Sequence, residues 1–194
     1  MLAFVFQKGF PFSLFLELGM KSVLLLAAAC LLMCSATSLH AAFDCYLQIE
    51  GIEGSVVEKG FEGAVALSSF SWGVSQSASP HNGLATGRRQ YEPIRFVKQI
   101  DKSSPILAKH CAAGQHIPKA VLYVRRPNAN GGLETYYKIE FEDCLITSVR
   151  AGVDLDSDGR SELVEEFTIT FKKITWTWID GGITAEDDWE APTR

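Results

Sequence analysis

Leu163-Val-Glu-Glu-Phe-Thr-Ile-Thr-Phe171, followed at once by Ile174-Thr-Trp-Thr-Trp178, alternates apolar and polar side chains over most of its length. In an extended chain successive side chains point to opposite faces. Phe167, Ile169 and Phe171 therefore share one face of a strand, and Ile174, Trp176 and Trp178 share one face of another. Outward from here the same habit recurs in Phe43–Ile49, Ala64–Trp72, Ile94–Ile100, Ala120–Arg125, Thr135–Phe141 and Cys144–Val149. Short strands separated by Gly and Asn turns predict an all-β domain, a barrel or a sandwich.

One segment reads as a helix. Ser103 or Ser104 caps it, Pro105 suits its first turn, Ile106, Leu107, His110 and Cys111 follow, and Gly114 ends it. The stretch Gly73–Arg89 has no periodicity and is rich in Ser and Gly, so it reads as a loop, longer than an ordinary connection. The expected organisation is a leader over 1–41, a β-domain over 42–180 and a mobile, acidic tail over 181–194.

The leader reading rests on Met20-Lys21-Ser22, the uncharged run Val23–Met33 and a small-residue exit ending at Ala41. These are the three regions of a secretory signal peptide, with a cut after Ala41 or Ala42. The apolar run is shorter than the roughly 20 residues that span a bilayer. Translation from Met20, or a single long leader from Met1, yields the same mature protein, and a lipoprotein site at Cys30 would leave almost no apolar run before it. Of the 18 Lys and Arg and 23 Asp and Glu, only Lys8, Lys21 and Glu17 precede residue 42, so the rest of the chain holds 16 basic and 22 acidic side chains and a net charge of −6. An acidic chain gains no counterion release on DNA or RNA and offers no basic stretch to anionic lipid. That argues against nucleic acid and membrane partners. Cys45, Cys111 and Cys144 form no CxxC pair and read as ordinary buried thiols, with a single disulfide the alternative.

Four stretches resemble the haemolysin-coregulated protein (Hcp) family, in the family's order. They are Phe43–Gly54, Leu67–Val74 with the Ser-rich loop after it, Phe96–Leu107 running into Cys111–Gly114, and Glu165–Glu166 through Lys173–Trp176. The third is the most specific, joining a strand, a Lys-Ser-Ser-Pro helix start and a Gly stop. The resemblance implies an antiparallel β-barrel with one short flanking α-helix. It also implies six-membered rings that stack into a type VI secretion tube, effector proteins as cargo, and neighbour contacts through Gly73–Arg89. Subunits of such tubes carry no signal peptide. A start at Met33 would remove the signal, whereas a start at Met20 makes this an exported relative.

One motif points to other chemistry. Asp154-Leu-Asp156-Ser-Asp158-Gly159-Arg160-Ser-Glu162-Leu-Val-Glu165 fits the pattern of a calcium loop. Ca²⁺ takes about six to eight oxygens, here from Asp154, Asp156, Asp158, the Arg160 carbonyl and Glu165. Strands rather than helices flank it, so an Asp-rich hairpin turn competes with the metal reading, and the Hcp resemblance places acidic residues at Glu165 without calcium. The alternative function is thus an exported, calcium-stabilised β-domain that binds a partner. No G-x-S-x-G, H-E-x-x-H or phosphate loop occurs, and His110 and Cys111, adjacent on a helix, point apart. These features read as a non-enzyme. Trp72, Trp176 and Trp178 read as core.

Overall fold

A computed structural model describes residues 44–155 and 159–191. The expected leader with Met20, Met33 and Cys30, and the loop residues Asp156 and Asp158, lie outside them. The elements in order are β1 (Cys45–Ile49), β2 (Val65–Leu67), β3 (Ser69–Ser71), β4 (Val74–Ser75), β5 (Gln90–Tyr91), β6 (Ile94–Gln99), α1 (Ser104–Ala113), β7 (His116–Pro127), β8 (Leu133–Leu155), β9 (Ser161–Thr170), β10 (Lys173–Trp178) and β11 (Ile183–Asp188). The pairings are antiparallel and run β2-β1-β7-β8-β9-β6-β3.

The two ends of that order are halves of one extended run. Leu67 pairs with Cys45, Ser69 pairs with Val97, and the Ser68 amide between them donates to the Val97 carbonyl. Residues 65–71 thus bond β1 with one half and β6 with the other, and the sheet returns on itself as a barrel. Closure removes the unpaired edges that an open sheet would expose.

β8 is one strand of 23 residues where the sequence reading placed two. The change comes at Asp143, a non-glycine residue with φ 51°. Up to Glu142 the strand pairs with β10, and from Leu145 it pairs with β9. β9 and β10 are therefore one antiparallel neighbour, interrupted at Phe171–Lys172, and the chain turns a corner without ending. Asp tolerates this left-handed conformation better than most side chains.

Alternation places Leu47, Phe96, Leu122, Ile139, Phe141, Phe167 and Ile174 in the core, all fully buried. Phe96 and Phe167, opposite each other in the β6–β9 register, stack at 5.2 Å between ring centres. The helix begins and ends where expected. Ser103 is its N-cap, Pro105 lies in its first turn, and Gly114 closes it at φ 60°. Leu107 fixes it to the barrel. No helix among the described residues is long and apolar enough to cross a membrane.

Candidate assembly surfaces and buried ion pairs

The strand-to-helix junction within Phe96–Leu107 is built around a lysine that sequence reasoning missed. Lys98 alternates onto the inner face of β6 and is fully buried. Its three N–H donors go to the Gln99 carbonyl (3.1 Å), Asp101 Oδ1 (2.8 Å) and Ser104 Oγ (2.8 Å). Glu165 Oε2, also buried, approaches Nζ to 2.9 Å as a charge partner rather than as a fourth hydrogen-bond acceptor. Asp101 in turn accepts from the Ser103 amide at 2.9 Å and from its hydroxyl at 2.5 Å. Burial pushes the Asp101 carboxyl up, but hydrogen bonds from Lys98 and Ser103 outweigh it and hold the group below the usual range. The Lys-Ser-Ser-Pro start is thus an ionic knot tying β6, β9 and α1 together.

A second buried cation lies on β7. The Arg125 guanidinium reaches both oxygens of Glu58, at 2.7 and 2.6 Å, and lies over Phe61 and Tyr46 at 4.7 and 5.2 Å from the ring centres. It pins the loop between β1 and β2 against the barrel.

The segment 73–89, read as an irregular loop, is a narrow two-stranded arm. Val74 pairs with Tyr91 and Ser75 with Gln90, Gln76 Nε2 donates to the Gly87 carbonyl at 2.6 Å, and Ala78 bridges Ala85. The hydrogen bond from the Ser79 amide to the Leu84 carbonyl marks the tip. Ser- and Gly-rich strands carry no apolar alternation, so the sequence pattern hid them. Within the tail over 181–194, expected to be mobile, the described residues include one further strand. Ile183–Asp188 forms β11 along β10. At the base of the arm Arg89 donates to the Asp187 carboxylate and to the Asp188 carbonyl, and the Tyr91 hydroxyl donates to Asp187 Oδ2 at 2.5 Å. Burial and that bond push the Tyr91 hydroxyl up to about 12. Trp189 packs against Tyr91 and Phe171.

The tryptophans are less central than expected. Trp176 is half-buried against the core, but Trp72 and Trp178 are exposed at the rim, Trp72 against Trp176 and Trp178 against Tyr136 and Tyr137. Burial pushes the Cys45 thiol up to about 11 and the Cys144 thiol to about 12, and among the described residues Cys45, Cys111 and Cys144 are free. His116 Nδ1 meets Asp143 Oδ1 at 2.7 Å on the surface.

The calcium-loop residues do not converge where they are described. Asp154 is exposed opposite Glu162 at the end of the β8–β9 hairpin, and its Oδ1 accepts from the Leu155 amide at 2.8 Å. Arg160 stands in the turn, just ahead of β9. Glu165 lies opposite Ala151, turned into the core toward Lys98. Among the described residues no group of three or more His, Cys, Asp or Glu is placed to hold a metal.

Comparison with known proteins agrees with this geometry. The family profile described as "Type VI secretion system effector, Hcp" matches residues 46–178. The "Major exported protein" of Pseudomonas aeruginosa is 30% identical over 142 residues, covering 72% of this chain and 83% of that protein. The crystal structure of Hcp1 from Salmonella typhimurium superposes with a TM-score of 0.65 at 28% identity, over 78% of this chain and 99% of the other. An Hcp1 protein from Escherichia coli gives 0.64 at 26% identity, over 76% and 97%. With the profile spanning β1 to β10 and the barrel shared with these relatives, the chain belongs to the Hcp family of type VI secretion proteins.

Proposed function

We propose that this chain is a non-catalytic structural subunit that closes into six-membered rings, which stack as the hollow tube of a type VI secretion machine. The observation that carries this reading is the family match across 46–178, nearly the whole barrel. The architecture supports it. The closed path β2-β1-β7-β8-β9-β6-β3 leaves little edge for indiscriminate strand pairing, while a contact between two different patches of one subunit generates a ring when its rotation closes. The partner is first of all a second copy of the chain, and effector proteins in the lumen are the cargo. Export is part of the same reading, supported by the relative named for it. A signal peptide cut near Ala41 would add a separate route, which intact-mass measurement of the native protein resolves.

The test is sedimentation velocity and negative-stain imaging of the protein as the cell processes it. Rings of six subunits are expected. Only monomer at high concentration would overturn the reading.

A further inference from the structure

Asparagine is followed by glycine twice in the chain, at Asn82-Gly83 and Asn130-Gly131, and both pairs stand exposed in turns. The pair carries its own chemistry. When the glycine amide loses its proton, its nitrogen can attack the side-chain carbonyl carbon of the asparagine before it and close a five-membered imide. Glycine permits this because it has no Cβ to block the approach. A Cβ at Gly83 or Gly131 would meet nothing within 4 Å, so no neighbouring part of the chain shields either turn. The two glycines have φ of 70° and 79°. Each amide donates within its turn, Gly83 to the Ser79 carbonyl at 2.9 Å and Gly131 to the Asn128 carbonyl at 3.1 Å. By sequence and main chain the two sites are near equals.

Their side chains separate them. Asn82 Oδ1 accepts from the Leu84 amide at 3.1 Å, which holds the carboxamide on the amide one residue past the nucleophile. The other turn is held by Asn128 instead. Asn128 Oδ1 accepts from the Asn130 and Gly132 amides, both at 3.0 Å, and the Asn128 amide donates to the Gly132 carbonyl at 2.8 Å. Among the described residues the Asn130 carboxamide has no hydrogen-bond partner, so it is free to turn toward the Gly131 nitrogen.

We infer that Asn130 is a site of spontaneous covalent modification, converted by water to aspartate and isoaspartate in the folded protein while Asn82 is spared. In the first step the Gly131 nitrogen bonds to Asn130 Cγ and the Cγ–Nδ2 bond breaks, releasing ammonia. In the second, water opens the imide at either carbonyl, and nothing is oxidised or reduced. One opening leaves aspartate in an ordinary main chain. The other leaves isoaspartate, with the main chain routed through Cγ and one atom longer. Either product adds a negative charge to the tip of the β7–β8 ribbon. Below the tip the ribbon is fixed, since Pro127 pairs with Leu133 and Arg126 binds Glu134 at 2.9 Å and Asp180 at 2.6 Å. The modified chain therefore keeps its fold and accumulates.

The test holds the whole protein at mildly alkaline pH, where the amide nitrogen ionises more readily, both folded and in concentrated urea. Peptide masses over successive days locate each replacement of an amide NH2 by OH, and an isoaspartyl methyltransferase labels the isoaspartate. In the folded protein Asn130 should react roughly fivefold or more faster than Asn82, the factor for freeing one hydrogen bond before reaction. In urea that bond is gone and the two rates should converge. Asn130→Gln leaves the main-chain bonds of the turn in place but would have to close a six-membered imide, so its peptide should keep its starting mass. Equal rates in the folded protein, or no change at Asn130 while the unfolded chain reacts, overturn the assignment. A preference for Asn130 that persists unchanged in urea overturns it too, since the difference would then lie in the local sequence and not in the turns.

Discussion

Lys98 Nζ lies 2.9 Å from Glu165 Oε2 with both side chains buried, and the contact joins β6 to β9 beneath the start of the helix. Removing one member of a buried pair strands the other charge and costs about 3–5 kcal/mol. Asp101 remains at 2.8 Å from Lys98 in a Glu165→Leu variant, so a loss of about 3 kcal/mol is expected. Lys98→Met with Glu165→Leu should lose less than the two single losses added, with a coupling of at least about 1 kcal/mol. Urea unfolding of all four proteins measures it, and strict additivity would show that the two charges do not depend on each other.

Asp101 gives the same knot a pH signature. Its carboxyl is held below the usual range when folded, so the stability it contributes is complete above the unfolded value of about 3.9. That stability is lost as pH falls from there through the folded value. Asp101→Asn should therefore be less stable at pH 7 but converge on wild type as pH drops toward about 3. Parallel curves across that range, from thermal melts at stepped pH, would remove Asp101 from the account.

Arg89 fastens the C-terminal strand to the base of the arm through Asp187 and the Asp188 carbonyl. Hydrogen bonds to charged groups contribute about 1.5–3 kcal/mol, so Arg89→Ala should speed amide exchange in 183–188 by roughly tenfold or more. Exchange at Phe96 and Phe167 should stay at the wild-type rate. Arg89→Lys should rescue poorly, since an ammonium cannot bond the carboxylate and the carbonyl as a planar fork.

Gly54 has no room for a side chain. A Cβ placed there would stand 2.3 Å from the Ala64 carbonyl oxygen, a backbone atom, and the Gly54 amide bonds the Gly63 carbonyl at 2.7 Å. Gly54→Ala should destabilise by about 1–3 kcal/mol through overpacking. Gly51, at φ 80° with open space around it, should suffer from the same substitution through backbone strain alone, at about 1 kcal/mol. Denaturant midpoints of the two variants rank these effects.

Millimolar Ca²⁺ should leave the melting temperature unchanged within about 1 °C, because the residue that would complete the loop, Glu165, is turned into the core beside Lys98. A rise of several degrees over EDTA that Asp156→Ala abolishes would show that the loop draws on other ligands.

Much of this was legible along the chain. The alternation in Leu163–Phe171 put Phe167, Ile169 and Phe171 in the core, where they are. Ser103, Pro105 and Gly114 bounded the helix because caps and turns act over a few residues. The family resemblance named the fold that the comparisons then showed. The arm at 73–89 and the strand at Ile183–Asp188 escaped notice because they are held by backbone pairing and by Arg89, not by an apolar stripe.

Glu165 marks the boundary between the two kinds of information. The sequence by itself determined its strand, its place at the twelfth position of an acidic motif and its inward alternation with Phe167, since each depends on neighbours in the chain. That it meets Lys98 was decided by the β6–β9 register, a contact between residues far apart in sequence. The same holds for Leu163, which keeps the two-residue spacing of Phe167 and Ile169 yet is 53% exposed: only the tertiary structure shows where the barrel stops, because burial is set by which strands close around a position and not by the pattern that the position belongs to.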